Sequence, residues 1–364
     1  MNEKCQGPFS GELQNKINLL KARRNSITLG SLHFASPLLL APMSSIGVAP
    51  FRLLMEDLGA GGTVSELISC HGINYKNVRT TSMLKIDPKE KNVGLQLFGE
   101  NKEAMALAAK VAEEFGPKFI DINMGCPVKK VVGTGAGSSL LKDTSTLGTF
   151  FHTIKSAIQI PLTIKIRTGW DQETINASEV IRIANEEGIE FVAIHGRTRA
   201  QQYTGKADWN LINSISTNSP LPIIGNGDLN SEKIIQEKIN HSSCQAFMLG
   251  RGPLRNPFLF LTPYIKEDEP HLHFTPKDYF EVLNLLVNYS ENYAHSSHIH
   301  LISIRKHIIW MAAGFQNVST YRDQIYKTQS MDETLKLSKE FFYSQEFNQK
   351  NINADEDFMT SGHG

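Results

Sequence analysis

The sequence predicts an α/β fold, a (β/α)8 TIM barrel followed by a small all-helical C-terminal domain. Three observations carry that prediction. Eight short apolar runs, bounded by Gly, Pro and charged residues, recur up to residue 250. Amphipathic helix patterns separate them. Beyond Pro270 the strand-like runs stop and long helical patterns take over. Eight βα units are what closing a parallel barrel requires. Strands covered on both faces read as apolar runs rather than as clean alternation. A doubly wound open sheet is the alternative if the strand count is off by one or two. The 364 residues, 40% of them apolar, suffice for a barrel of about 250 residues with a smaller second domain.

In chain order, residues 1–30 form an N-terminal extension with a short helix around 12–24, packed outside the barrel. Residues 31–269 form the barrel. Its strands fall near 38–43 (LLLAPM), 63–66 (TVSE), 93–98 (VGLQLF), 118–123 (KFIDIN), 161–167 (PLTIKIR), 190–195 (EFVAIH), 222–226 (PIIGN) and 245–250 (QAFMLG). The helix at 101–115 places Ala104, Leu107, Ala108 and Val111 on one face, with Asn101 as its cap. Similar patterns occupy 175–187 and 231–239, the latter started by Ser231. Residues 270–347 read as a helical domain with helices at 276–294, 299–312 and 331–345. Residues 348–364 are polar and read as a flexible tail.

Lys plus Arg equals Asp plus Glu, 37 against 37. A neutral total decides nothing about nucleic acid, because a basic face can hide within it. Cys5, Cys70, Cys126 and Cys244 are too far apart for a compact metal motif or a disulfide framework. Charge at Glu3 and Lys4 is followed by no apolar leader segment, and Pro37–Met43 is too short to span a bilayer. A cytoplasmic monomer is expected, with no membrane contact, no metal and no obligate protein partner. Among the histidines, His300 and His307 share a helix face without an acidic partner, which argues against a metal site. Ser138, Ser139, Cys126 and His195 offer no hydrolase elbow.

The chemistry of a barrel sits at the carboxyl ends of its strands. Cys126 lies there, in Asp121-Ile122-Asn123-Met124-Gly125-Cys126-Pro127. A thiol beside an Asn and a Gly-rich turn is a candidate proton donor or nucleophile. Small residues in Ala41-Pro42-Met43 admit a planar ligand. Gln96, in an apolar strand, needs partners for its amide: a heterocycle edge or a neighbouring backbone. Lys165 and Arg167 lie two apart on one strand, so they share a side and call for an anion. That anion is a reduced flavin, a nucleic-acid phosphate or a polarised carbonyl. His195-Gly196-Arg197-Thr198-Arg199 makes an anion-binding loop. Gly225-Asn226-Gly227-Asp228 and Leu249-Gly250-Arg251-Gly252 end the seventh and eighth strands, where barrels commonly build a phosphate site.

Together these segments resemble the tRNA-dihydrouridine synthases, and more narrowly their bacterial B-type branch. The resemblance spans roughly residues 25–315. It rests on Ala41-Pro42-Met43, Phe51-Arg52, Thr63-Val64-Ser65-Glu66, Gln96, Asp121 to Pro127 and Gly135-Ala136-Gly137-Ser138. It continues through Lys165 to Trp170, His195 to Arg199, Asn226-Gly227-Asp228, Gly250-Arg251-Gly252 and Arg305-Lys306-His307. What it implies is a flavin-binding barrel with a helical domain that reduces a tRNA uridine to 5,6-dihydrouridine with FMN and NADPH. By resemblance, Cys126 is the acid that protonates C5. Pro42, Met43, Gln96 and Lys165 lie against the flavin ring. His195, Asn226, Gly227, Asp228, Gly250 and Arg251 hold the cofactor, largely around its phosphate. Asn123 and Arg167 face the uracil. Arg197, Arg199, Arg305 and Lys306 meet the tRNA, and cutting the chain before residue 270 should leave FMN bound while weakening tRNA binding. One departure stands out: Gly47-Val48-Ala49-Pro50 replaces the family's polar-acidic pair in the loop after the first strand.

Two other readings share parts of this pattern. A small-molecule ene-reductase or dihydroorotate-type dehydrogenase uses the same cofactor logic but gives no reason for the helical tail. A non-catalytic RNA-binding barrel would have no use for Cys126, Lys165 and Arg167.

Overall fold

Eight parallel strands close into a barrel: β1 (Leu38–Leu40), β2 (Thr63–Val64), β3 (Val93–Phe98), β4 (Phe119–Met124), β5 (Leu162–Arg167), β6 (Val192–His195), β7 (Ile223–Asn226) and β8 (Ala246–Leu249). The computed structural model describes residues 7–293 and 296–346. The expected 348–364 tail, Cys5 and His295 lie outside them. Neighbouring strands pair in sequence order, β8 returns to β1, and β2 also pairs with β3, so no edge is left open. The predicted barrel is therefore present strand for strand. β1 is shorter than expected, because Ala41 to Met43 already turn away as loop.

Alternation along the strands divides the interior into two zones. Low in the barrel, Leu39, Val64, Phe119, Phe191, Ile224 and Ala246 are buried in one cluster. A hairpin of Ile27–Leu29 and Leu32–Phe34, absent from the sequence expectation, plugs this end. Its Phe34 ring meets Phe119 and Phe191 edge-on, with centroids 6.3 and 6.2 Å away. Gly94 makes room for that layer, since a Cβ there would lie 2.2 Å from the Phe119 ring. Above the plug the same inward rows turn polar: Gln96, Asp121, Asn123, Thr163, Lys165, Arg167, His195 and Asn226. The fold thus seals one end with aromatics and leaves a polar mouth at the other.

The helix Lys102–Glu113 is capped by Asn101, whose side chain accepts from the Ala104 amide. Its inward face differs from the expectation. Met105, Ala108, Ala109 and Ala112 are buried, whereas Leu107 is 55% exposed. Small alanines let this helix approach the strands closely, and that close approach outweighs burial of one leucine. Ser231 caps the helix Glu232–His241 as expected.

The tail folds as helices Pro276–Ser290, Ser297–Ala312, Val318–Ile325 and Met331–Ser344. The third of these was not anticipated. The first opens with a capping box made by Thr275 and Asp278. It packs on the helix Ala49–Asp57 that follows β1. Tyr279 reaches Asn256, Tyr289 reaches Asp57 and Tyr293 reaches Asp87. His307 is buried against Phe51, with ring centroids 5.2 Å apart. No helix among the described residues is long and apolar enough to cross a membrane.

Candidate active site

β4 and β5 supply the centre of the mouth. Asn123 accepts the Cys126 amide N–H at 3.0 Å through Oδ1. Ser138 closes the other side of that turn, donating its amide and its hydroxyl to the Cys126 carbonyl. These anchors hold the backbone of Cys126 and leave its side chain to the mouth. Cys126 is 8% exposed. Burial pushes its thiol above the ordinary range, against smaller pulls from the Val128 N–H and then Arg167. Cys126 is therefore a protonated thiol at neutral pH, which suits a proton donor.

Asp121 is fully buried one layer below. It accepts from Gln96 Nε2 and from Thr163 Oγ1, both at 2.6 Å. Burial raises it to about 6, although both donors and Lys165 pull it down. Gln96 in turn accepts from Asn123 Nδ2 at 2.8 Å. The sequence left Gln96 between a ligand and a structural partner. The structure gives both ends of its amide protein partners, and each end keeps one further hydrogen or lone pair.

Lys165 donates to Asn226 Oδ1 at 2.9 Å, and Asn226 passes its own amide to the Met248 carbonyl. Burial and then Arg167 lower Lys165 to about 8, partly opposed by Asp121. His195 is held well below the usual imidazole range by burial and by Arg167, Lys165, Arg197 and Arg251. Its Nε2 faces Arg197 Nη1 at 3.2 Å. Arginine only donates, so the neutral ring accepts there and carries its proton on Nδ1.

The other predicted cations have different fates. Arg167 is buried and donates to the carbonyls of Gly125, Thr198 and Gln202. It braces the Cys126 turn against the loop after β6. Arg197 forks onto Asp228 at 2.8 and 2.9 Å and holds the Thr204 and Gly205 carbonyls. The structure buries Arg197, expected at tRNA, as a strut, and pairs it with Asp228, expected at the cofactor. Arg199 lies over the Trp170 ring at 4.3 Å, with Lys142 at 4.0 Å. Arg251 and Arg167 both approach the Tyr203 ring. Arg305 bonds the Thr328 carbonyl within the tail, while Lys306 is exposed. Arg305 and Lys306 thus sit far along the chain from the mouth cluster and are not brought into it by any hydrogen bond or ion pair of the described residues.

Pro42 and Met43 are half-buried at the end of β1. Gly250 lies nearby, and a Cβ added to it would meet only Ala41, at 4.0 Å. Gly227 has a φ of +127° and is crowded by Ala207 and His195, so a side chain is excluded there. The mouth thus has a floor of small residues, a lysine in its wall and a glycine rim carrying Arg251, which fits a planar anionic group such as FMN. In the loop after β1, the Ser45 amide donates to Glu66, two residues past the end of β2.

Sequence reasoning did not assign Asp121, Thr163, Trp170 or Tyr203. Asp121 and Thr163 had one available signal: polar residues two before Asn123 and Lys165 must point the same way. A cleft of about 680 Å³ in the tail, lined by Glu291, His298, His300 and Gln329 among others, contains none of the predicted site residues. The described residues hold no group of His, Cys, Asp and Glu able to bind a metal ion.

These features define a class: a parallel barrel with a buried, protonated thiol beside a lysine at a polar mouth. The family described as dihydrouridine synthase (Dus) matches residues 39–347. The chain is 33% identical over 306 residues to the probable tRNA-dihydrouridine synthase of Rickettsia conorii, covering 82% of this chain and 91% of that one. It is 36% identical over 295 residues to tRNA-dihydrouridine synthase B of Pseudomonas putida, covering 79% and 86%. The chain belongs to the dihydrouridine synthase family and is a flavin-dependent oxidoreductase. The B-type name among these relatives agrees with the resemblance carried by its motifs. Among solved structures, histamine dehydrogenase from Rhizobium sp. 4-9 superposes with a TM-score of 0.52 at 12% identity, covering 76% of this chain and 51% of that chain. That likeness concerns the fold alone.

Proposed function

We propose that this chain reduces uridine in tRNA to 5,6-dihydrouridine, with FMN bound in the mouth and NADPH as reductant. The observation that carries the proposal is the placement of Cys126. It is a buried thiol, kept protonated, at the end of the strand that also presents Asn123. Lys165, Pro42, Met43 and Gln96 would flank the flavin ring. Gly227, Gly250, Arg251 and His195 would hold its phosphate end. FMN held by these residues would supply hydride chemistry at C6 of the uracil, with NADPH as its reductant.

The rest belongs to the chain. The target base must leave its stack to enter the mouth. Asn123 and the Cys126 turn meet its edge, and Arg167 fixes that turn through the Gly125 carbonyl. Cys126 gives its proton to C5 as charge builds there, and solvent restores the thiol. Burial keeps the thiol un-ionised until that moment.

The direct test uses full-length protein reconstituted with FMN, reduced by NADPH without oxygen, and then mixed with unmodified tRNA. Rapid flavin reoxidation and a gain of two hydrogens on uridine, read by nucleoside mass spectrometry, are expected. Faster reoxidation by a free pyrimidine than by tRNA would instead assign a small-molecule substrate.

The helical segment 270–347 and the exposed Lys129 and Lys130 beside Cys126 would meet the tRNA backbone. Replacing Lys129 and Lys130 with Ala should weaken tRNA binding and flatten its salt dependence by roughly one to two units of log–log slope. Flavin content should not change. Titrations at several salt concentrations check this, and an unaltered slope would remove both lysines from the interface.

A further inference from the structure

We propose that Asp121 and Thr163 are positioning residues that set the direction of the Gln96 and Asn123 amides and thereby hold the Cys126 turn. The proposal rests on reading Cys126 as the proton donor. Neither residue is required to touch uracil or flavin. Both are completely buried, in the row below Asn123 and Lys165.

A primary amide has a donor end and an acceptor end, whereas a carboxylate only accepts. Asp121 receives Gln96 Nε2 and Thr163 Oγ1 at 2.6 Å each. Gln96 must therefore turn its oxygen towards Asn123, which donates Nδ2 to it at 2.8 Å. Asn123 is then left with its own oxygen facing the Cys126 N–H at 3.0 Å and the Gly125 N–H at 3.4 Å. Two amides in series carry one orientation from the barrel interior to the turn. Were both reversed, Asn123 would present an N–H to the N–H of Cys126, leaving two buried donors facing each other. The strands supply the alignment, since Gln96 pairs with Asp121 and Asp121 with Thr163 in the sheet register.

The test is a cycle of near-isosteric variants in full-length protein, made with and without FMN. The readout is alkylation of Cys126 by iodoacetamide at fixed pH, mapped by peptide mass spectrometry. Asp121→Asn can still offer its oxygen to Gln96, with its NH2 turned to the Thr163 hydroxyl. That hydroxyl then donates to the Ile120 carbonyl, 3.5 Å away. Thr163→Val leaves the carboxylate of Asp121 in place. Each single variant should stay within about threefold of the wild-type rate. In the double variant the new amide finds no acceptor at position 163, turns its NH2 to Gln96 and reverses both amides. Alkylation of Cys126 should then rise about tenfold beyond the sum of the single effects, the size of one lost buried hydrogen bond. Shape is nearly unchanged throughout, so a purely packing role predicts additivity.

Gln96→Met cuts the series in the middle. It should raise alkylation to the double variant's rate, and adding Asp121→Asn to it should change nothing more. An additive double variant overturns the proposal, as does a further effect of Asp121→Asn in the Gln96→Met background. If the double variant does not fold, the Gln96→Met pair decides alone. The thiol rate in flavin-free protein is independent of the reaction the enzyme performs. Failure of the proton-donor reading would show elsewhere, as full turnover by Cys126→Ala.

Discussion

Cys126→Ala should remain folded, keep its flavin and still accept electrons from NADPH, yet lose dihydrouridine formation by about 10²–10⁴-fold. The structure supports the first half of that expectation. The bonds that hold the turn fall on the Cys126 backbone, the amide to Asn123 and the carbonyl to Ser138, while the thiol accepts one from the Val128 N–H. Alanine keeps the backbone bonds and loses only the last. The turn, the Arg167 brace on Gly125 and the small-residue floor stay as they are. What disappears is one protonated sulfur at the mouth.

The second half follows from what the thiol is positioned to do. In the proposed reaction, hydride arriving at C6 would leave charge on C5 and O4, and without a placed acid that charge would wait for water. Rapid-mixing kinetics separate the steps, with flavin reduction monitored by absorbance and product by nucleoside mass spectrometry. Normal flavin reduction with slow product formation is the expected split. Loss of flavin from the variant would mean that the sulfur is structural, and near-normal product formation would take it out of the reaction.

The strands were legible because a barrel strand is covered on both faces and reads as a short, mostly apolar run, and eight such runs survive in one sequence. The hairpin at 27–34 was not, because its three-residue strands read as part of an extension. Its significance lies in Phe34 meeting Phe119 and Phe191, which come from distant segments. The Lys102–Glu113 helix is so rich in alanine that its apolar period fits more than one face. Only packing chose the alanine face over Leu107.

In the site, Cys126 and Lys165 stood out through their motifs, and their placement needs nothing beyond their strand ends. The fate of Arg197 was invisible. Its partner Asp228 lies in the loop after the next strand, and a single sequence does not show that two charges cancel. Asp121 was in view within a motif but had no role, because its partners Gln96 and Thr163 are set by register.

Cutting the chain before residue 270 should destroy the soluble barrel rather than merely weaken tRNA binding. The sequence suggests a detachable tail, but the structure shows a shared core. Phe51, Leu54, Leu58, Leu254 and Phe258 of the barrel part lie in one buried cluster with Tyr279, Val282, Leu283, Leu286, Ile304 and Ile308 of the tail. Phe258 stacks on Phe274 and meets Tyr279 edge-on. The N-terminal helix Gly11–Ala22 belongs to the same core and is tied to the tail where Ser10 bonds Glu281.

Burying a large apolar side chain contributes about 1.5–3 kcal/mol. Exposing five of them on the barrel side costs roughly as much as the whole stability of a typical domain, about 5–15 kcal/mol. The truncated chain should therefore appear in the insoluble fraction, or as a species that binds hydrophobic dyes and no FMN. A finer cut tests the tRNA role without opening this core. Lys306→Ala removes an exposed charge next to the buried His307 and should leave the melting temperature nearly unchanged. Solubility, dye binding and thermal melting of the truncated and full-length chains decide the first point. A soluble, cooperatively melting, FMN-binding fragment ending before residue 270 would show that the apolar contacts across this boundary are dispensable.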